Sequence, residues 1–346
     1  MPRLLATTRP TLLGLVALLG TLLAGTGCTR QQEPATASRP AAPAAPLTPV
    51  TICQGGILNL LPQVAQESGI FAAEGLAVTV SPLGDGKTAM ESFLAGRCDF
   101  ALVAEPPIAR QSFTSSDFVI IASVVASENA TKILARRDKG IQTARDLKGK
   151  RVGVRPGTVS HFFLDTYLKK NGLRPADVTL QSMELKEMPQ ALAAGTIDAF
   201  SASDTALLQG RALIGDQAVV LSEPGLCYNA ANLVTRKEYV ARQPATVQGL
   251  LRGLLRAEAE VAAHPDAARA LLGRLMKLPE WELADVMRDQ HHTVTLAKPL
   301  ILSLEDHARW LMQTGAVPPG PFPNYLDLID PAPLRALKPD AVTLGK

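Results

Sequence analysis

Aromatic residues and excess charge are both scarce in this chain of 346 residues. Aromatics make up 4% of the composition and the formal net charge is +3. Residues 1–27 hold two of the arginines and no acid, so the rest of the chain is closer still to neutrality. This balance excludes the basic surface typical of nucleic-acid binding, and no basic run is dense enough to hold anionic lipid. The apolar fraction of 47% excludes disorder for the body of the chain.

Signatures of catalysis and of metal binding are also missing from the sequence. It contains no G-x-S-x-G nucleophile elbow, no paired Cys and His nucleophile and no metal-ligand spacing. We therefore expect no enzyme, no cofactor and no metal. The string Gly84-Asp85-Gly86-Lys87-Thr88 is similar to the end of a phosphate-binding loop, but that motif needs glycine where the chain has Ser81. Nucleotide hydrolysis is not expected.

The N-terminus predicts export and membrane anchoring. Two arginines precede the apolar run Thr11–Ala24, which is shorter than the ~18–20 residues of a spanning helix, so residues 1–27 are interpreted as a signal peptide. Cys28 follows small residues, as in the lipobox of bacterial lipoproteins, although Gly25 stands where that motif usually has Leu. We expect Cys28 to be lipidated, with ordinary signal cleavage as the alternative. Residues 28–49, rich in Pro and Ala, would then form a tether.

Three further cysteines would lie in an oxidising compartment after export. Cys53, Cys98 and Cys227 are an odd number, so at least one thiol stays free. Cys53 and Cys98 lie in strand-like segments of the same half of the chain and could pair. The favoured interpretation is three buried thiols that pack as small apolar residues.

Strand-like and helix-like segments alternate along the body of the chain. The run Val119–Val125 is continuously apolar and β-branched, as in a strand that is buried on both faces. A helical segment with apolar residues at spacings of three and four follows from Pro244 to Met276. The alternation predicts an α/β fold built from doubly wound parallel sheets, with a helical C-terminal part.

The strand and helix pattern restarts in the middle of the chain, which predicts two lobes. Residues 50–128 and 235–346 would form lobe 1, and residues 129–234 would form lobe 2. The chain would then cross between the lobes near Glu128 and again near Leu233. A cleft between two such sheets collects the loops at the carboxyl ends of both sets of strands, which is where ligands bind in open α/β sheets.

Four strings of the body occur in an order that resembles a known family. They are Gly69–Leu76, Leu94–Ala101, Asp146–Val154 and Ala191–Phe200. The set is similar to the nitrate/sulfonate/taurine-type substrate-binding proteins of ABC importers. The resemblance implies the type II periplasmic-binding fold, capture of a small polar solute between the lobes, and delivery to a membrane permease by an exported, monomeric protein. The same family contains pyrimidine-precursor binders and non-transport members, so an enzyme or ligand sensor on this fold is the alternative.

Candidate ligand-binding residues follow from the strand ends, the helix starts and this resemblance. They are Gly56, Asn59, Asp85, Gly86, Lys87, Thr88, Glu105, Glu128, Gly157, Thr158, Ser160, His161, Ser203 and Asp204. The helix starts after Gly84 and Gly157 offer N–H donors to an anion. Glu105 and Asp204 would repel a bare anion, which favours a ligand that carries both an anionic and a cationic end.

Overall fold

The computed structural model describes residues 46–55, 59–276 and 280–345. The predicted signal peptide, Cys28, most of the tether and the candidate residue Gly56 lie outside these ranges. Within them, no helix combines the length and the apolar character needed to cross a membrane.

The body is a succession of short strands and helices. The strands are β1 (Thr48–Gly55), β2 (Leu76–Leu83), β3 (Phe100–Val103), β4 (Phe118–Ser127), β5 (Thr131–Arg136), β6 (Arg151–Val154), β7 (Thr179–Ser182), β8 (Ala199–Ser203), β9 (Ala218–Leu221), β10 (Asn229–Arg236), β11 (Leu296–Ala297) and β12 (Val342–Thr343). The α-helices are α1 (Leu60–Glu67), α2 (Ile70–Ala73), α3 (Gly86–Leu94), α4 (Glu105–Gln111), α5 (Val159–Lys170), α6 (Met188–Ala193), α7 (Asp204–Ile214), α8 (Lys237–Arg242), α9 (Pro244–Ala263), α10 (Pro265–Met276), α11 (Glu280–Asp289), α12 (Lys298–Gln313) and α13 (Ala332–Leu337).

Two five-stranded sheets organise the described residues into two α/β lobes, which confirms the predicted fold class. Their strand orders are β2-β1-β3-β10-β4 in lobe 1 and β7-β6-β8-β5-β9 in lobe 2. Strands β1, β2 and β3 are parallel, as are β6, β7 and β8. Strands β10 and β5 each run antiparallel to both of their neighbours, so neither sheet is purely parallel. Each of these two strands enters its sheet directly after the chain has come from the other lobe, and no parallel βαβ crossover precedes it.

The chain passes between the sheets at two segments, which we call the crossings. The first crossing joins β4 to β5 at residues 128–130, where the sequence predicts it. The second crossing joins β9 to β10 at residues 222–228, because all of β10 pairs with β3 and β4 in lobe 1. The sequence instead predicts this crossing near Leu233, since the polar residues Asn229 and Asn232 conceal the start of the strand. The assignment of residues to lobes on either side of these crossings is a proposal.

The C-terminal helices belong to the core of lobe 1. Leu250 and Leu254 of α9 and Leu304 of α12 are buried in one apolar cluster with the inner strands of the sheet. Strand β4 is buried almost throughout, as its unbroken apolar run predicts. The predicted helix from Pro244 to Met276 is interrupted at His264, where Pro265 begins a new helix.

A disulfide bond joins Cys53 to Cys98, with the two Cα atoms 5.8 Å apart. It links β1 to the turn before β3, two strands that are neighbours in the sheet. The favoured expectation of three free thiols is therefore wrong for this pair. Cys227 is a buried free thiol, and burial raises its pKa to about 12.

Candidate ligand-binding cleft

A cavity of about 80 Å³ lies between the two lobes, at the carboxyl ends of the parallel strands. Of the candidates from the sequence, those that line it are Asn59, Asp85, Gly86, Lys87, Gly157, Thr158, Ser160 and Ser203. Thr88, Glu105, Glu128 and His161 are not among the lining residues, and the side chain of Asp204 lies outside the described part of the structure. None of the described residues that line the walls is aromatic.

The lobe 1 wall is the start of α3. Asp85 caps this helix, its Oδ1 accepting the N–H of Thr88 at 2.8 Å, which explains why Thr88 supports the wall without lining it. Gly86 packs against Gly55 so closely that a Cβ atom on Gly55 would collide with the Gly86 backbone. Lys87 is exposed and lies 3.9 Å from Glu91 on the next turn. The wall therefore combines a helix N-terminus with a peripheral ammonium group.

The lobe 2 wall is the loop that leads into α5. Gly157 has a φ of +76°, a left-handed conformation that favours glycine, and its N–H donates to Nδ1 of His161 at 3.3 Å. The Thr158 hydroxyl donates to the carbonyl of Arg155 at 2.8 Å, and the Ser201 hydroxyl donates to the carbonyl of Ser160 at 2.8 Å. These bonds tie the loop to the start of α5 and to β8, and α5 presents a second helix N-terminus to the cavity.

An ion pair crosses the cleft between Asp85 of lobe 1 and Arg155 of lobe 2. Nε of Arg155 lies 3.0 Å from Oδ2 of Asp85, and its Nη1 lies 2.7 Å from Oε1 of Glu184. Burial alone would raise the pKa of Asp85, but hydrogen bonds from Thr88 and Arg155 and the charge of Arg155 lower it. Asp85 is therefore an ionised carboxylate whose charge is compensated by Arg155 of the other lobe.

Glu105 does not face the cleft, contrary to its predicted position. Its side chain is fully buried, and Oε1 accepts the N–H of Ala230 at 2.9 Å and, at 3.4 Å, the amide of Asn232. Oε2 has no hydrogen-bond partner. Burial raises the pKa of Glu105 to about 8, so the group is mostly a neutral acid at pH 7. A mostly neutral Glu105 therefore repels an anion in the cleft much less than the sequence predicts.

Glu128 and His161 lie beside the cleft and not in its walls. The side chain of Glu128 is exposed, and its carbonyl accepts the N–H of Gly225 at 3.0 Å across the two crossings. The ring of His161 packs edge-on against Trp310 of α12 at 5.0 Å, and burial lowers its pKa against the opposing effect of Asp165. Trp310 donates to Oδ2 of Asp165 at 2.8 Å, so this cluster is a buried contact between α5 and the lobe 1 helix α12.

Residues 62–268 match the family model described as NMT1/THI5 like. The chain belongs to the NMT1/THI5-like family. A relative from Escherichia coli (strain K12) that is named for binding aliphatic sulfonates is 28% identical over 220 residues, which are 62% of this chain and 66% of the relative. The taurine-binding periplasmic protein of the same organism is 24% identical over 275 residues, 74% of this chain and 84% of that protein.

Solved structures agree with the fold of this family member. The alkanesulfonate-binding protein SsuA from Xanthomonas axonopodis pv. citri, bound to MOPS, superimposes with a TM-score of 0.72 at 19% identity. The match covers 83% of this chain and all of that one. The two-lobed architecture inferred from the sheets is therefore that of periplasmic binding proteins.

In this family member, sequence reasoning missed the part of the cavity wall that the crossings build. Ser127, Thr131 and Asn229 flank the two crossings, and Gln290 follows α11. Thr131 is 5% exposed, and its hydroxyl oxygen is buried without a hydrogen-bond partner. Polar residues at the ends of otherwise apolar strands are the signal that could have found the first three. No local motif marks Gln290.

Proposed function

We propose that this protein is the substrate-binding component of an ABC-type importer and captures a small aliphatic sulfonate between its lobes. The observation that carries the proposal is the cavity between the lobes, which receives one helix N-terminus from each lobe. A ligand that contacts both walls binds the closed form better than the open form, and this difference in affinity drives closure. The sulfonate- and taurine-binding relatives support the same conclusion.

The charge of the cavity favours a compact anion. The backbone N–H groups that begin α3 and α5 point partial positive charge at the cavity, which suits sulfonate oxygens. Asp85 is paired with Arg155, and Glu105 is neutral and buried elsewhere. The sequence predicts a ligand with a cationic end because of Glu105 and Asp204, and Glu105 no longer supports that prediction. A cavity of about 80 Å³, whose described lining residues include no aromatic side chain, favours a one- or two-carbon sulfonate over an aryl sulfonate.

Thr131 offers a sharp test of this assignment, because its buried hydroxyl lacks a partner in the cavity wall. Calorimetry with ethanesulfonate, taurine and nitrate should give saturable binding to at least one sulfonate. Thr131→Val preserves shape but removes the hydroxyl, and we expect affinity to fall about tenfold or more, the value of one hydrogen bond to a charged group. Thr79→Val, at an exposed position of β2, is the matched control and should bind as the wild type does. Failure of every sulfonate to bind would refute the proposed ligand.

The cellular setting completes the proposal. The protein would be exported, anchored through lipidated Cys28, held off the membrane by residues 28–49 and active as a monomer that delivers its ligand to a permease. Loss of the gene should abolish uptake of the ligand in the organism that encodes it. An enzyme or sensor on this fold would leave uptake intact and separate the two explanations.

A further inference from the structure

A second cavity, of about 390 Å³, opens between the lobes on the other side of the first crossing. Asn129 and Lys132 line it, whereas Ala130 and Thr131 line the first cavity. Thr131 and Lys132 are successive residues of β5 and point to opposite faces of that strand. The second cavity is therefore separated from the cleft by β5 itself and is not an extension of the cleft.

Both lobes contribute cationic groups to this second cavity. Arg211 comes from α7 of lobe 2, and Arg288 comes from α11 of lobe 1. Asp289 is the acid among its described lining residues, and its Oδ2 is occupied by Nζ of Lys132 at 2.8 Å and by the amide of Asn129 at 2.9 Å. Its Oδ1 lies 4.0 Å from Nε of Arg288. No ion pair joins Arg211 to any acid of the described residues, so the walls carry net positive charge.

The floor of the second cavity is apolar. Leu207 and Leu208 of α7 and Val286 of α11 line it and are buried. A cavity with an apolar floor and arginines at its rim matches an organic anion that has an apolar body and a planar carboxylate, since a guanidinium group binds a carboxylate through two parallel hydrogen bonds. A fully hydrated inorganic anion would leave the floor unused.

We propose that this cavity is a second ligand site, which binds a small organic carboxylate through Arg211 and contacts both lobes on the side of β5 away from the cleft. The carboxylate meets the Arg211 guanidinium at the rim, and the apolar body covers the two leucines and the valine. Because the site is built from both lobes, its ligand stabilises the same interlobe arrangement that forms the cleft. Occupancy of the two sites is then positively coupled.

Benzoate, an aromatic carboxylate, and inorganic phosphate are the probes that test the site. Calorimetry on the wild-type chain should show saturable binding of benzoate at millimolar concentrations and much weaker binding of phosphate. Arg211→Ala should weaken benzoate about tenfold or more, the loss of one charge-assisted contact. Arg211→Lys keeps the charge but loses the planar guanidinium group, so its affinity for benzoate should lie between those of the wild type and Arg211→Ala. Arg145→Ala removes an exposed arginine far along the chain and should bind benzoate as the wild type does.

Each opposite result overturns the assignment. Benzoate that fails to bind the wild type means that the cavity is not a site. An equal affinity in wild type and Arg211→Ala places any bound benzoate elsewhere, including in the cleft. An equal loss of benzoate affinity in Arg145→Ala would mean that the net charge of the protein, and not Arg211, determines binding. Phosphate that binds as tightly as benzoate would mean that the apolar floor does not contribute to recognition. The variants change exposed residues, and their circular dichroism spectra should match that of the wild type.

Discussion

Replacing Glu105 by Gln should make the folded protein more stable at alkaline pH. Burial raises the pKa of Glu105 from 4.5 to about 8 in the folded chain, so the folded state holds the proton more tightly than the unfolded state. The stability associated with this group is therefore complete below pH 4.5 and is lost as the pH rises to about 8. At about 1.36 kcal/mol per pKa unit, the loss across this range is roughly 5 kcal/mol. Gln keeps an oxygen for the N–H of Ala230 and cannot ionise.

Urea unfolding at pH 5, 7 and 9 tests this reasoning. At pH 9 we expect Glu105→Gln to exceed the wild type by a few kcal/mol in free energy of unfolding. At pH 5 this difference in the free energy of unfolding should vanish or reverse, because both side chains are then neutral in the folded protein and Gln carries one more buried donor without a partner. Glu128→Gln, at an exposed carboxylate on the nearby crossing, should show no such divergence. If the free energies of unfolding of the wild type and of Glu105→Gln changed with pH in the same way, Glu105 would not have a raised pKa in the folded protein.

The remaining predictions concern the disulfide, the ion pair across the cleft and the lipid anchor. Joint replacement of Cys53 and Cys98 by Ala should lower the free energy of unfolding by about 4 kcal/mol, because the cross-link closes a loop with a sequence separation of 45. An unchanged free energy of unfolding in the double variant would refute the pairing. Asp85→Asn keeps a helix cap but loses the charge that meets Arg155, so small-angle scattering should show a larger radius of gyration without ligand, and an unchanged profile would mean that the pair does not hold the lobes. Cys28→Ala should abolish incorporation of labelled palmitate and release the protein from membranes, whereas equal labelling of the variant would refute lipidation.

Local chemistry explains which parts of the site could be predicted. The start of α3 at Asp85 and the loop at Gly157 are marked by capping residues and by glycine next to a helical pattern, so both helix starts follow from a few neighbouring residues. Their place in the cleft follows from the order of the strands and from the family resemblance. Glu105 shows the limit of that reasoning. Its position after β3 is correct, but the carboxylate turns towards Ala230 of β10, a strand 125 residues further on. Strand ends predict where a residue lies and do not predict the direction of its side chain.

Long-range pairing explains what could not be predicted. Cys53 and Cys98 meet because β1 and β3 are neighbours in the sheet, and the strand order depends on the packing of the whole lobe. Gln290 reaches the cavity from the end of α11, after the C-terminal helices have folded back onto lobe 1. The sequence predicts the second crossing too late because Asn229 and Asn232 make the start of β10 polar, yet the amide oxygen of Asn232 is satisfied inside the structure by the 2.6 Å bond from the Ser123 hydroxyl.

The contacts between the lobes define how much a ligand has to contribute to closure. Within the described residues, polar groups join the lobes at Asp85 with Arg155, at Asp165 with Trp310 and at Asp289 with Lys132. Each pair has one residue in lobe 1 and the other in lobe 2. Opening of the lobes therefore replaces these hydrogen bonds by hydrogen bonds to water, at a small net cost in free energy. We therefore expect a closed state held in this way to lie within about a few kcal/mol of an open state, so that a ligand that contacts both helix N-termini would need only that difference in affinity to shift the population. We expect a change that weakens these pairs to lower the affinity for every ligand that closes the cleft by about the same factor. A change in the cavity wall, such as the loss of the Thr131 hydroxyl, would instead discriminate between ligands.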